Sequence, residues 1–239
     1  MDKSSLLKKA GQEIGISFSE VQIHQFLDYY ECLVEKNKVM NLTAITEYEE
    51  VVLKHFIDSL SIVKAIDMKK CKKVIDIGTG AGFPGIPLKI AFPELELVLL
   101  DSLNKRVLFL KETIDKLGLT GITAVHARAE DAARKETYRE SFDLCVSRAV
   151  ANLSSLSEYC IPFVAKGGLF VSYKASDVEE EVKEAKHALY LLGGKMKEKI
   201  EFVLPSSDIG RSFIIIEKVK TTPLKYPRKA GLPSKEPLK

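Results

Sequence analysis

Gly78, Gly80 and Gly82 follow the apolar run Val74 to Ile77 in the stretch VIDIGTGAGFPGIPL. An apolar strand that runs into such a loop, with a helix predicted to begin near Pro84, turns the backbone tightly. It also lets a flat or charged ligand approach main-chain N–H groups at the positive end of a helix. Gly80, Gly82 and Gly85 even satisfy GxGxxG, a pattern with many chance matches. Asp101 closes the next apolar run, 23 positions after Gly78, where a carboxylate can accept both hydroxyls of an adenosine ribose. The same acid could cap a helix predicted near Leu103. These residues leave NAD and S-adenosylmethionine (SAM) both open.

The elements that must position such a site are legible from hydrophobic spacing. Phe26, Leu27, Tyr30, Leu33 and Val34 form a helical stripe, and Ser19 with Gln22 predicts a capping box at its start. A second box, Thr46 with Glu49, is predicted to open a helix whose Val52, Phe56, Leu60 and Val63 repeat at helical spacing. Asn41-Leu42-Thr43 is a polar break between the two. From Lys73 onward, short apolar runs alternate with helical stretches: Val74 to Ile77, Leu95 to Leu100, Ile122 to Val125, Phe142 to Val146 and Leu169 to Tyr173. That alternation predicts βαβ units and a parallel sheet covered on both faces. A charged helix, Asp177 to Leu192, should stop at Gly193-Gly194. Ile200 to Leu204 and Phe213 to Val219 are too close for a crossover helix and predict an antiparallel hairpin, for seven strands in all.

With 239 residues, 46% of them hydrophobic and 29% charged, the chain can bury a core without a metal or disulfide staple. Cys32, Cys71, Cys145 and Cys160 lie far apart, with no CxxC pair and no His at ligand spacing, so neither a zinc site nor a secreted disulfide scaffold is expected. No segment is apolar enough to span a bilayer or to act as a signal peptide, and a cytoplasmic location is expected. The net charge of +3 is uneven. Residues 221–239 carry five basic residues against one acid, a balance of +4 that leaves the first 220 residues at −1. Pro223, Pro227, Pro233 and Pro237 in that tail predict an extended arm without helix, ordered only where it docks. Arg228, Lys229 and Lys235 are its candidates for phosphate contact. Lys174, at the end of the fifth strand, is another. An arm of this kind could be deleted without loss of cofactor binding.

Seven strands ending in a hairpin, with Lys166-Gly167-Gly168 before the fifth, resemble the class I SAM-dependent methyltransferases. In that fold Ala129 and Glu130, after the third strand, face the adenine. Ser147-Arg148-Ala149-Val150 after the fourth strand is neither the [DN]PP[FY] tetrad of amine methyltransferases nor the Cys-Pro of cytosine-C5 enzymes. Cys145 sits inside its strand and reads as core. Guanine N7 keeps a free lone pair in the neutral base, so its methylation needs alignment rather than a general base.

Six separated stretches carry a closer resemblance. DIGTGAGFPGIPL, LLDSLNKR, HARAED, SRAV, NLT with HFIDSL, and YPRKAGLPSKEPL, between about Asn41 and Leu238, together resemble the RsmG (GidB) family of bacterial 16S rRNA guanine-N7 methyltransferases. The resemblance implies a SAM pocket drawn from Gly78, Gly80, Gly82, Phe83, Asp101, Ala129, Glu130 and Arg148. It also brings forward Asn41, His55, Asp58 and Ser59, which with Arg148 are the candidate catalytic groups. His55, Asp58 and Ser59 would share one helix face, closing the pocket, holding the base, or tying helix to sheet. The implied partner is 16S rRNA or the small ribosomal subunit, with no metal and no membrane. A monomer is expected. The implied division is a helical extension over residues 1–68, a methyltransferase domain over 69–220 and a basic arm over 221–239. Two other classes stay open on the residues alone: an NAD-dependent oxidoreductase and a non-catalytic RNA-binding module.

Overall fold

Continuous apolar strands need cover on both faces, and in the computed structural model they receive it. The described residues are 2–148 and 150–238, so Ala149 of the SRAV stretch and Lys239 of the basic tail lie outside them. The chain opens with helices α1 (Lys3–Glu13) and α2 (Glu20–Met40). The Ser19–Gln22 capping box is present, and α2 ends at Asn41 in the left-handed conformation, φ 47°. A short α3 (Tyr48–Val51) continues as a π-helix over Val52–Ile57 and then as α4 (Asp58–Leu60). The predicted Thr46–Glu49 box does not form: Glu47 is the N-cap and no side chain caps the end.

The sheet strands are β1 (Lys73–Ile77), β2 (Glu96–Asp101), β3 (Ile122–His126), β4 (Phe142–Arg148), β5 (Val164–Ala175), β6 (Gly194–Val203) and β7 (Gly210–Lys218). Their order is β3-β2-β1-β4-β5-β7-β6. The first five pair in parallel and β7 joins antiparallel to both β5 and β6. This is the class I SAM-dependent methyltransferase fold, as the sequence predicted. Two strands are longer than the apolar runs suggested. β5 begins at Val164 and takes in Lys166-Gly167-Gly168, with a register shift opposite Phe142 to Leu144. β6 starts at Gly194, because the charged run Lys195 to Lys199 can pair as a polar edge strand without burying itself.

Side-chain alternation divides the core in two. Val74, Leu97, Leu99, Leu144 and Val146 point to a cluster shared with α2, the α3–α4 stretch, α5 (Gly85–Ala91) and α6 (Asn104–Lys116). Ile75, Ile77, Leu100 and Cys145 point to the opposite cluster, built with α7 (Ala129–Ala132), α8 (Leu153–Cys160) and α9 (Glu179–Leu192). The N-terminal helices therefore share the core of the sheet.

The tail departs from the extended arm that its prolines predicted. Tyr226 is buried in the second cluster, and α10 (Leu232–Lys235) is a helical turn with Pro233 in its first turn. Proline is tolerated there because first-turn N–H groups have no intrahelical acceptor.

Candidate functional site

Strand order reverses between β1 and β4, so the crevice beyond their carboxyl ends is where this sheet accepts a ligand. The glycine loop lies there. Gly78 (φ +71°) donates its N–H to the Leu100 carbonyl at 2.8 Å, and a Cβ on it would come within 2.6 Å of Val150. Gly85 is required for packing: a Cβ would lie 2.2 Å from Leu99 and 2.9 Å from Asp76, so glycine lets α5 press onto the sheet. The Tyr29 hydroxyl donates to the Ala81 carbonyl at 2.7 Å, pinning the loop to α2.

A cavity of about 420 Å³ opens beside this loop. Ile77, Gly78, Leu100, Ser102, Leu103 and the run Ala127 to Glu130 line it, with Val150, Tyr159, Gly231 and Ser234 on the far side. Of the predicted pocket residues, Gly78, Ala129 and Glu130 are in this wall. Gly80, Gly82, Phe83 and Asp101 are not part of that lining. The buried Asp101 carboxylate accepts N–H groups from Gly80 (Oδ2, 3.0 Å) and Leu103 (Oδ1, 2.8 Å), with Arg106 at 3.4 Å. It thus ties the glycine loop to the start of α6. Glu130 accepts the Gly231 N–H at 2.8 Å.

A second cavity of about 500 Å³ is lined by His55, Asp58, Arg148, Tyr173, Lys174 and Arg211, among others. Its centre is a pair of guanidiniums on one carboxylate. Asp58 accepts from Arg148 at 2.8 Å on one oxygen and from Arg211 at 2.9 Å on the other. Arg148 also donates to the Lys54 carbonyl at 3.2 Å and lies over the Phe83 ring, 5.0 Å from its centroid. Phe83 also has aromatic neighbours: its ring stacks on His55 at 4.5 Å and packs on Tyr29. Phe83 therefore packs the glycine loop against the α3–α4 stretch.

The His55 imidazole has its Nε2 2.8 Å from the Thr43 hydroxyl and its Nδ1 3.4 Å from Arg148. Burial first, and the Arg148 charge second, push its pKa down to about 4, so it is neutral at physiological pH. Asp76, under the glycine loop, is pushed up to about 7 by burial, against the lowering effect of hydrogen bonds from Thr79 and Gly85. Its Oδ1 is buried without a partner.

The structure brings His55 and Asp58 together on Arg148, but Ser59 turns inward. Its hydroxyl donates to the His55 carbonyl at 2.5 Å, and its own carbonyl accepts the Tyr173 hydroxyl at 2.8 Å. Asn41 closes α2, and it is Thr43, two residues on, that meets His55. Lys174 donates to Glu181 at 2.6 Å and to the Ala151 carbonyl at 2.9 Å, which binds β5 to the loop after β4. Arg228 is held by Glu158, whose side chain is fully buried: its backbone N–H, Nε and Nη2 all donate to that carboxylate, the shortest contacts at 2.7 Å. Lys229 and Lys235 are exposed.

Sequence reasoning missed Arg211, Thr43 and Tyr159. Arg211 opens an antiparallel strand, outside the parallel units on which the ligand-site rule rests, and only its pairing to Asp58 marks it. Among the described residues no group of three or more His, Cys, Asp or Glu is arranged to hold a metal, and no helix is long and apolar enough to cross a membrane.

Residues 22–208 match the family model for GidB, rRNA small subunit methyltransferase G. The chain belongs to the GidB family. The ribosomal RNA small subunit methyltransferase G of Lachnoclostridium phytofermentans is 55% identical over 95% of this chain and 94% of its own length. The protein of the same name from Alkaliphilus metalliredigens is 52% identical over the whole of both chains. M. jannaschii TYW2, solved in complex with AdoMet, shares the fold, with a TM-score of 0.51 at 15% identity over 62% of this chain and 69% of that one. As a GidB-family protein the chain is an rRNA methyltransferase, and the oxidoreductase and non-catalytic alternatives fall.

Proposed function

We propose that this GidB-family enzyme transfers a methyl group from SAM to N7 of a guanine in 16S rRNA of the small ribosomal subunit. The observation that carries this reading is the pair of cavities lined from the carboxyl ends of the parallel strands, one beside the glycine loop and one around Arg148, Asp58 and Arg211. The first fits SAM in size and in chemistry: about 420 Å³ is within the usual range for a small-ligand site. Glu130 lines it and Asp101 is bonded to the glycine loop beside it, two carboxylates that can accept from an adenine amine and ribose hydroxyls. Bound SAM supplies an electrophilic methyl on a sulfonium. This chain's residues hold it there, keep water out with Leu103 and Val150, and align the acceptor.

Proton removal is the chemistry the second cavity is poor in. Asp58 is committed to two guanidiniums, and His55 is a weak base because burial and Arg148 oppose its protonation. An acceptor nitrogen that already has a free lone pair fits that environment, because its methylation is a single in-line displacement needing position and desolvation. The His55 ring, stacked on Phe83, lines this cavity and is of the aromatic kind on which RNA bases stack.

In this reading residues 1–68 form the helical extension that carries His55 and Asp58, residues 69–220 the cofactor-binding sheet, and residues 221–239 the tail. The enzyme works in the cytoplasm, where ribosomes are made. The test is methyl transfer from isotope-labelled SAM to unmodified 16S rRNA, free and in small subunits, with mass identification of the labelled nucleoside. Label in 7-methylguanosine is the expected result. Label in another nucleoside overturns the acceptor, and none in either substrate overturns the reading.

A further inference from the structure

The tail ends where the cofactor cavity needs a wall. Gly231 and Ser234 line the same cavity as Gly78 and the run Ala127 to Glu130, although they are about a hundred residues further along the chain. They are held there from several sides. Arg228 is locked on the buried Glu158, the Ser155 hydroxyl donates to the Pro233 carbonyl at 2.7 Å, and Arg134 reaches the Pro227 carbonyl. Upstream, Arg139 donates to the carbonyls of Thr222 (2.8 Å) and Tyr226 (3.1 Å). Gly231 takes a left-handed conformation, φ +83°, and its N–H donates to Glu130 Oε1 at 2.8 Å. Nothing crowds the place where a Cβ would stand, so the glycine is required by its backbone conformation and not by space.

Resting on the SAM reading above, we propose that Gly231 to Ser234 form a wall of the cofactor site, and that the Gly231 N–H is a positioning group that aims Glu130 at the adenine of SAM. The tail is then part of the cofactor site, and deleting its end removes SAM affinity, the reverse of what a detachable RNA arm would do. A neutral donor on one carboxylate oxygen fixes the rotamer while leaving the group's other lone pairs for the ligand. The wall also shields the adenosine end from water, where a hydrogen bond to the ligand contributes most.

Two variants test this by calorimetry with SAM, each with an unfolding curve. One chain stops at Lys229, which keeps Arg228 on Glu158 but removes Gly231, Ser234 and α10. The other is full length with Ser234→Trp, a change at an exposed position that fills the cavity from the tail side. Both should bind SAM at least about tenfold more weakly than the intact chain, the scale of one missing charged hydrogen bond. The Ser234→Trp chain should also keep the unfolding midpoint of the intact protein. If the shortened chain does not fold, Ser234→Trp alone decides. Intact-chain affinity in either folded variant overturns the wall. Absence of SAM binding by the intact chain would instead overturn the cofactor reading, and the wall with it.

Discussion

The Asp101 carboxylate already accepts the Gly80 and Leu103 N–H groups, which leaves it fixed in place with lone pairs to spare. A ribose would meet an acceptor whose entropy of orientation has been lost on folding. Replacing Asp101 by Ala should therefore weaken SAM binding by about 1–3 kcal/mol, the scale of a hydrogen bond to a charged group. Unchanged affinity in a calorimetric titration would sink the ribose assignment. His55 and Asp76 make opposite contributions to the pH dependence of stability. His55 titrates at about 4 in the fold against an unperturbed 6.5, so the unfolded chain binds the extra proton, and stability is lost as pH falls from 6.5 through 4. Asp76 titrates at about 7 against 3.8, so the folded chain binds the extra proton, and stability declines as pH rises from 3.8 to 7. The two overlap between pH 4 and 6.5 and mask each other. His55→Asn should unmask a stability that falls with rising pH in that window, and Asp76→Asn one that rises. Urea midpoints taken at about pH 4.5 and about pH 6.5 for both variants check the signs; identical slopes in the two would refute the assignment.

At the scale of elements, the π-helix at Val52–Ile57 is what sets His55 and Asp58 on the sheet. A turn widened to i→i+5 shifts the following residues around the axis, and such turns recur at functional sites. Asp58 then bridges β4 and β7 through Arg148 and Arg211. Asp58→Ala would leave two guanidiniums facing each other with no carboxylate between them. We expect a loss of roughly 3–5 kcal/mol of folding stability, readable by denaturant unfolding, together with loss of methyl transfer. A change below about 1 kcal/mol, the range of an exposed pair, would show that water screens the cluster. Arg228→Ala should also destabilise the fold, because the fully buried Glu158 side chain loses its guanidinium and is left with only the backbone N–H of residue 228.

Across the whole molecule, one sheet divides two clusters, and both cavities lie at the edge formed by the carboxyl ends of its parallel strands. The tail crosses from the hairpin to that edge. Its basic residues then separate by role: Arg228 holds structure, while Lys229 and Lys235 are exposed beside the cofactor cavity. If those two meet rRNA phosphates, Lys229→Ala with Lys235→Ala should lower RNA affinity and flatten the log–log salt slope by roughly 0.7–0.9 for each phosphate left unneutralised. SAM affinity should stay as it was. An unchanged slope in filter binding across salt concentrations would remove both from the RNA face.

Periodicity and glycine punctuation are local properties, and they determined the parallel strands, the hairpin, the glycine loop and the placement of Asp101. The Ser19 box and the stop at Gly193 were legible for the same reason, since each is decided within one turn of backbone. The full extent of β6 was not, because an edge strand can be polar and leaves no apolar run to read. Nor were the ion pairs of Arg148, Lys174 and Arg228, whose partners Asp58, Glu181 and Glu158 lie 90, 7 and 70 positions away. A charged side chain in sequence is equally a phosphate contact or half of an ion pair. Only folding brings the counter-charge, and the desolvation that decides between them, to its side.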